Sequence, residues 1–321
     1  MNSTRRLDRF NDAFTKNFIT FALSVIISSV NGSFVYTFFK SQVFQQDPRY
    51  VLYIHLVIND IIMLTVSTVL QIVTYTVPLG FPPCCIMLLI LVTTNKNSPL
   101  NLAGMAVERY IAVCRPLHHA KICTVQRAYA LIGLIWGVSV IPALVDIFIT
   151  LIAQPLTVSA RSVICYTHYV YNTPHHKAQS VVVQALLLSF VFLTVIVTYL
   201  KVFFVARAAS SADQASARKA RNTILLHGVQ LLICMLSFFS PLINLILVTA
   251  LPSERTKILF STFLFTNVLP RLLSPLIYGV RDKTFSSHMR LYFSCRCCGS
   301  VAKKVKPMSG AQKRSKQMAL V

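Results

Sequence analysis

The sequence predicts an all-α membrane protein, a seven-transmembrane helix bundle with a short amphipathic helix after the seventh span. Three observations lead there. Apolar residues make up 55% of the 321 residues and charged ones only 12%, about half the charged share of an ordinary soluble domain. Some seven apolar runs reach the roughly 20 residues that a helix needs to cross a hydrocarbon core, where helices satisfy their own backbone hydrogen bonds. Basic residues, finally, collect on alternate connections between those runs.

The opening segment, residues 1–17, is polar and is expected to be an extracellular amino terminus. It lacks the pattern of a cleaved signal peptide, so the first span is expected to act as its own insertion signal. Asn2, Ser3 and Thr4 form a glycosylation sequon at Asn2. Residues 18–280 hold the spans: Phe18 to Phe39, Val51 to Thr76, Cys84 to Cys114, Ala128 to Ala153, Ala178 to Ala206, Asn222 to Ala250 and Lys257 to Gly279. An odd number of spans puts the two ends on opposite sides. Lys40 and Arg49, then Arg115, Lys121 and Arg127, then Arg207, Arg218, Lys219 and Arg221 lie on one set of connections, and the tail after Arg281 is denser still. The positive-inside rule makes these cytoplasmic, although Arg5, Arg6 and Arg9 oppose it weakly.

A net charge of +22 also bears on partners. The basic residues flank hydrophobic spans and do not interleave with aromatics on a soluble face, so anionic inner-leaflet lipid is expected and nucleic acid is not. In residues 281–294, Phe285, Met289, Tyr292 and Phe293 fall at helical spacing, as an amphipathic helix on the membrane surface requires. Residues 295–321 form a basic cytoplasmic tail, with 303–316 expected to be disordered. Its Cys295, Cys297 and Cys298 are too few for a zinc site; as juxtamembrane cysteines they are acylation candidates, unmodified thiols being the alternative.

Charges inside the spans are costly unless paired. Asp60 and Arg271 each stand about nine residues from the inner end of their span, roughly 14 Å deep, and are expected to face each other as an ion pair. Lys96 lies near mid-membrane in the polar run Thr93-Thr94-Asn95-Lys96-Asn97-Ser98, which must face the bundle interior. Pro241 and Pro275 remove helix hydrogen bonds and supply hinges. No nucleophile with an adjacent base, metal-ligand set or phosphate loop is evident, so neither enzymatic activity, a cofactor nor a metal is expected.

The run Met105-Ala106-Val107-Glu108-Arg109-Tyr110-Ile111-Ala112-Val113-Cys114-Arg115-Pro116-Leu117 closes the third span. It resembles the odorant-receptor form of the signature of family A, rhodopsin-like G-protein-coupled receptors. Further matches follow in order: Asn31, Leu56 with Asp60, Trp136, Tyr199, Phe238-Phe239-Ser240-Pro241 and Ser274-Pro275-Leu276-Ile277-Tyr278. Lys219-Ala220-Arg221 also resembles the odorant branch. The single loop cysteine and the run Pro270-Arg271-Leu272-Leu273-Ser274-Pro275 look more like fish odorant receptors than mammalian ones.

The resemblance implies a small-molecule odorant bound within the bundle and a heterotrimeric G protein, of the stimulatory olfactory type, engaged at the inner helix ends. It assigns coupling and activation to Glu108, Arg109, Tyr110, Tyr199, Pro241, Pro275 and Tyr278, and an internal polar network to Asn31, Asp60, Ser98, Arg271 and Ser274. Ligand candidates are Lys96, Asp146, His168, Gln184 and Phe239. Cys84 lies about 37 Å from Arg109 along the third span, and family spacing pairs it with Cys165 of the second extracellular loop; the sequence leaves Cys85 as the alternative. In many relatives the acid at the place of Asp60 helps hold sodium, a charge that Arg271 would supply here.

Departures from the pattern are Ser274 where Asn is usual, Phe239 where many members have Trp, and a fifth span without its proline. Arg221 stands where some relatives carry an acid that locks the triplet arginine, so that lock is not expected. A family A receptor for a small hormone or lipid is the alternative, although Cys84 to Thr94 offers no acid for an amine. A channel or transporter would explain buried charges but not the ordered motifs.

Overall fold

Apolar runs that must satisfy their own amides become helices, and the chain does so wherever it is described. The structure, a computed structural model, describes residues 10–76, 79–153, 165, 170, 174–209, 232–233, 236, 239–240, 243–244 and 246–297. The first five spans are α1 (Phe10–Lys40), α2 (Pro48–Thr76), α3 (Phe81–Cys114), α4 (Val125–Ala153) and α5 (Pro174–Ala209). All described positions between 232 and 250 are helical and constitute α6. The seventh span, α7, runs from Arg255–Phe263 through a π-turn at Leu264–Val268 into Leu269–Arg281. It is followed by α8 (Lys283–Cys297). Short helices Gln42–Gln45 and Pro116–Ile122 lie in the α1–α2 and α3–α4 connections.

Several boundaries fall outside the apolar runs. α1 begins at Phe10, eight residues before Phe18, so the segment 1–17 is helical in its second half. Helix formation does not stop where hydrophobicity does, and Asp12 in the first turn with Lys40 in the last complements the helix dipole. Proline opens α2, α5 and the Pro116–Ile122 helix, where its fixed φ suits a first turn and its missing N–H is no loss. α8 continues to Cys297, so Cys295 and Cys297 belong to the helix and not to the tail beyond it.

Five of the described helical stretches are long and apolar enough by composition to cross a membrane: Asn11–Lys40, Pro48–Thr74, Val125–Ile152, Ala178–Val205 and Pro252–Ile277. α3 is absent from that set in spite of its 34 residues, because the polar run Thr93–Ser98 and Asn101 dilute its hydrophobicity. It tolerates them by being central, packed against α2, α4 and α5. With α3 and α6 the set makes a seven-helix bundle.

Lipid tails are as apolar as leucine, so packing and hydrogen bonds hold such helices together. Gly104 lets α3 approach α4: a Cβ there would lie 2.9 Å from Leu131 Cδ2. Leu100 and Ala103 of α3 pack against Ile135 of α4 and Leu187 and Val191 of α5. An aromatic cluster fills the Arg109 end, centred on Phe34, Phe44, Tyr53 and Phe285. Side chains such as Phe18, Phe148 and Phe190 point outward and remain exposed, as lipid-facing residues do.

Candidate functional site

α3 carries the functional features in three tiers. At one end Cys84 is joined to Cys165, with Cα atoms 5.5 Å apart. Phe81, Leu88 and Val170 pack around the bond. Cys85 is buried beside it and takes no part. The helix turn aims Cys84 at the loop, a choice the sequence leaves open. Asn2 and His168 lie outside the described residues.

At mid-depth the polar run turns inward. Thr93, Thr94, Asn97 and Ser98 are buried, whereas Asn95 and Lys96 are partly exposed. Asn59 of α2 donates to the Thr94 carbonyl at 2.8 Å and to Ser98 Oγ at 3.0 Å, and Asn97 donates to Asn59 Oδ1 at 3.2 Å. Arg271 of α7 donates from Nη1 to both Asp60 Oδ1 and Ser98 Oγ, and Ser98 donates to Asp60 at 3.2 Å. The guanidinium also reaches Asn95 Oδ1 at 3.4 Å. Asp60 and Arg271 are 1% and 4% exposed, so the pair is a dry joint between α2, α3 and α7.

Pro275 explains how α1 enters this joint. It has no N–H to give the Arg271 carbonyl four residues back, and Asn31 Nδ2 donates to that carbonyl at 3.4 Å. Tyr53 donates to the Pro275 carbonyl itself at 3.0 Å. The side chain of Ser274 lies outside the described residues.

At the other end of α3, Glu108 is 5% exposed. His119, on the Pro116–Ile122 helix, donates from Nε2 to Glu108 Oε1 at 2.9 Å, and Arg109 Nε lies 3.6 Å from Oε2. Lys201 of α5 stands 5.5 Å over the Tyr110 ring, and Tyr199 is half-buried on the same helix. Asp47, before α2, binds Arg49 Nε at 3.0 Å and Nη2 at 2.5 Å. Burial pushes its carboxyl up, but hydrogen bonds and charge from Arg49, with the charge of Arg109, hold it below its ordinary value. A cleft between Gln46–Arg49 and His119–Val125 opens here. Pro241, Arg221 and the side chain of Tyr278 lie outside the described residues.

α8 is fixed to this end. Asp282 Oδ1 accepts the amide hydrogens of Thr284 and Phe285, both at 3.0 Å, and so caps the helix. Tyr50 donates to Asp282 Oδ2 at 2.7 Å. Phe285 is fully buried, its ring 4.9 Å from Phe44 and 5.8 Å from Phe34 and Tyr53. Met289 packs against the same cluster. The side chains of Phe293, Cys295 and Cys297, together with Cys298, lie outside the described residues.

The remaining described ligand candidates lie on four helices. Lys96 and Gln184 are half-buried on α3 and α5, Asp146 of α4 lies 2.9 Å from His176 Nδ1, and Phe239 of α6 is 41% exposed. The sequence motifs do not reveal His119 as a partner of Glu108. Nor do they reveal that Trp136 donates to His55 Nε2 at 2.9 Å, or that Asn101 donates to the Leu52 carbonyl at 2.8 Å. For His55, Asn101 and Trp136 a polar group standing alone in an apolar span is the signal; His119, in a connection, offers none.

Comparison with known proteins agrees with this arrangement. The model of the family described as 7 transmembrane receptor (rhodopsin family) matches residues 30–278. The chain is 29% identical over 301 residues to Odorant receptor 131-2 of Danio rerio, covering 92% of each chain. It is 25% identical over 228 residues to Olfactory receptor 10Q1 of Homo sapiens, covering 66% of this chain and 67% of that one. With Olfactory receptor 1M1 of Homo sapiens the identity is 23% over 227 residues, with the same coverage.

Proposed function

The chain belongs to the rhodopsin family of seven-transmembrane receptors, and on that premise we propose that it is an odorant receptor of the plasma membrane. It binds a small molecule within the helix bundle and activates a heterotrimeric G protein at the Arg109 end. The relatives named as odorant and olfactory receptors support the sensory reading. A fit to the stimulatory, cyclic-AMP-raising type follows from the same resemblance. The amino terminus faces outside and the carboxyl terminus the cytoplasm, because the basic connections and tail belong inside. The basic tail and α8 then meet anionic inner-leaflet lipid.

One observation carries the mechanism: a single helix, α3, links all three tiers. Its disulfide end is tethered to Cys165, its middle is bonded to α2 and α7 through Ser98 and Asn95, and its last two turns present Glu108, Arg109 and Tyr110. A ligand that favours one arrangement of the outer half thereby biases the inner end, as population shift requires. Pro275, whose Arg271 carbonyl is served by Asn31 instead of a helix amide, supplies a hinge in α7. In this role Arg109, released from Glu108, meets the G protein beside the cleft at 46–49 and 119–125, with Tyr110, Tyr199, Tyr278 and Pro241 completing the coupling face.

The test is a cyclic-AMP assay in cells expressing the chain, challenged with water-soluble and volatile odorants, with Arg109→Ala as the coupling control. A ligand-dependent rise that the substitution abolishes is the expected result. Silence in spite of verified surface expression would move the assignment to another ligand class or G protein.

A further inference from the structure

The release of Arg109 would strand a buried charge. Glu108 is 5% exposed, and each of its oxygens faces one basic side chain: Oε1 accepts from His119 Nε2 at 2.9 Å, and Oε2 lies 3.6 Å from Arg109 Nε. The second contact is beyond hydrogen-bond length, so charge alone draws Arg109 to this carboxylate. In the proposed function Arg109 leaves Glu108 to meet the G protein. Taking one partner from a buried pair leaves an uncompensated charge, which is strongly unfavourable. Another cation has to answer it.

His119 is placed to do so. It reaches Oε1 without any movement of Arg109, its side chain is 26% exposed, and it lines the cleft at 46–49 and 119–125, so a proton can reach it from solvent. Imidazole is the side chain whose ordinary titration falls between about pH 5 and 8. The other ionisable groups around it are occupied or turned away. Across the cleft Asp47 is bound by Arg49. At the start of α4, Arg127 gives Nη1 to the carbonyls of Lys121 and Ile122. Arg115, His118 and Lys121, on the same connection as His119, are exposed. The Cys123 thiol is pushed up by burial and by the charge of Glu108, against a lowering by Arg127, and so stays protonated at neutral pH. Among the described residues, His119 is the one group besides Arg109 within ion-pair distance of Glu108.

We propose that His119 is the positioning residue of the coupling triplet: a proton taken up from the cytoplasmic side makes it the counter-ion that holds Glu108 when Arg109 swings to the G protein. The inference rests on the receptor reading and deepens it. With His119 neutral, Glu108 keeps Arg109. With His119 an imidazolium, Glu108 retains a full positive partner and Arg109 can leave. Coupling therefore gains as the cytoplasmic side is acidified through the imidazole range, by at most about tenfold per pH unit for a single proton.

The experiment uses the full chain in nanodiscs, where both faces meet one buffer, between about pH 6 and pH 7.5. Arg109→Ala imitates the departure of Arg109 and needs neither ligand nor G protein. From the upper to the lower pH its melting temperature should rise relative to the wild type by about 2–4 °C, the scale of one modest ion pair in a large domain. The sign follows from linkage: a histidine that gains an anion stabilises the fold below its titration, and that stability is lost as pH rises through it. Adding His119→Gln, which keeps a hydrogen-bond donor but takes no proton, should abolish the rise, and adding His119→Arg should give the acid-level stability at both pH values. If Arg109→Ala does not reach the surface, Arg109→Gln is read in its place. The second arm is nucleotide exchange on a purified stimulatory heterotrimer without added ligand: the wild type should exchange about threefold or more faster at the lower pH, normalised to His119→Gln. A rise in melting temperature that persists with His119→Gln assigns the proton to another group, and no rise assigns none; either overturns the inference, as does nucleotide exchange with the same pH profile in His119→Gln as in the wild type. No exchange by the wild type at either pH, with melting as expected, is a failure of the receptor reading for this G protein and not of the counter-ion.

Discussion

Arg271→Met removes one member of the ion pair that joins α2, α3 and α7. Asp60 would remain 1% exposed with its charge opposed only by the Ser98 hydroxyl. Removing one partner from a buried pair costs about 3–5 kcal/mol, two to three and a half orders of magnitude in the folded-to-unfolded ratio at about 1.4 kcal/mol per decade. Asp60→Leu should destabilise in the same direction, because the Arg271 guanidinium would keep only the neutral acceptors Ser98 and Asn95. The double substitution Asp60→Leu with Arg271→Met should recover most of the loss, since an apolar replacement of a buried pair is often neutral or stabilising. Thermal and denaturant unfolding in nanodiscs would measure the cycle. A coupling below about 0.5 kcal/mol, within ordinary additivity, would refute the view that this pair is the joint of the bundle. Sodium gives an independent check: it should leave the wild-type melting temperature unchanged, because Arg271 already supplies the cation, and should stabilise Arg271→Met.

Cys165→Ser should cost about 2–4 kcal/mol through loss of the tether between loop and α3, read as lower surface expression and melting temperature; Cys85→Ser should reproduce neither effect. Phe285→Ala empties the slot between Phe34, Phe44 and Tyr53 and should weaken α8 docking by about 3–5 kcal/mol, seen as fast amide exchange across 284–292 while α2 and α3 stay protected. His119→Ala removes the 2.9 Å bond to Glu108. That loss, about 1.5–3 kcal/mol for a charged acceptor, should speed amide exchange in 117–122 by roughly ten- to a hundredfold, and unchanged exchange would show that His119 does not fasten this connection.

That the chain crosses a membrane is legible from its residues in order, because hydrophobic length is a one-dimensional property and lipid leaves a backbone only the helix or the closed barrel. It also determined depth. Counting at 1.5 Å per residue brought Asp60 and Arg271 to one level, and put Cys84 at the opposite end of α3 from Arg109. The motif around Arg109 was legible for the same reason, since it lies within one unbroken stretch of chain.

Rotation and partnership come from the packing of the helices. A count along a helix says how deep a side chain sits but leaves open which neighbour it meets, and neighbouring residues point about 100° apart. That is why Cys84 and not its neighbour Cys85 reaches Cys165, why Asn31 answers the carbonyl that Pro275 leaves unserved, and why His119 is found on Glu108.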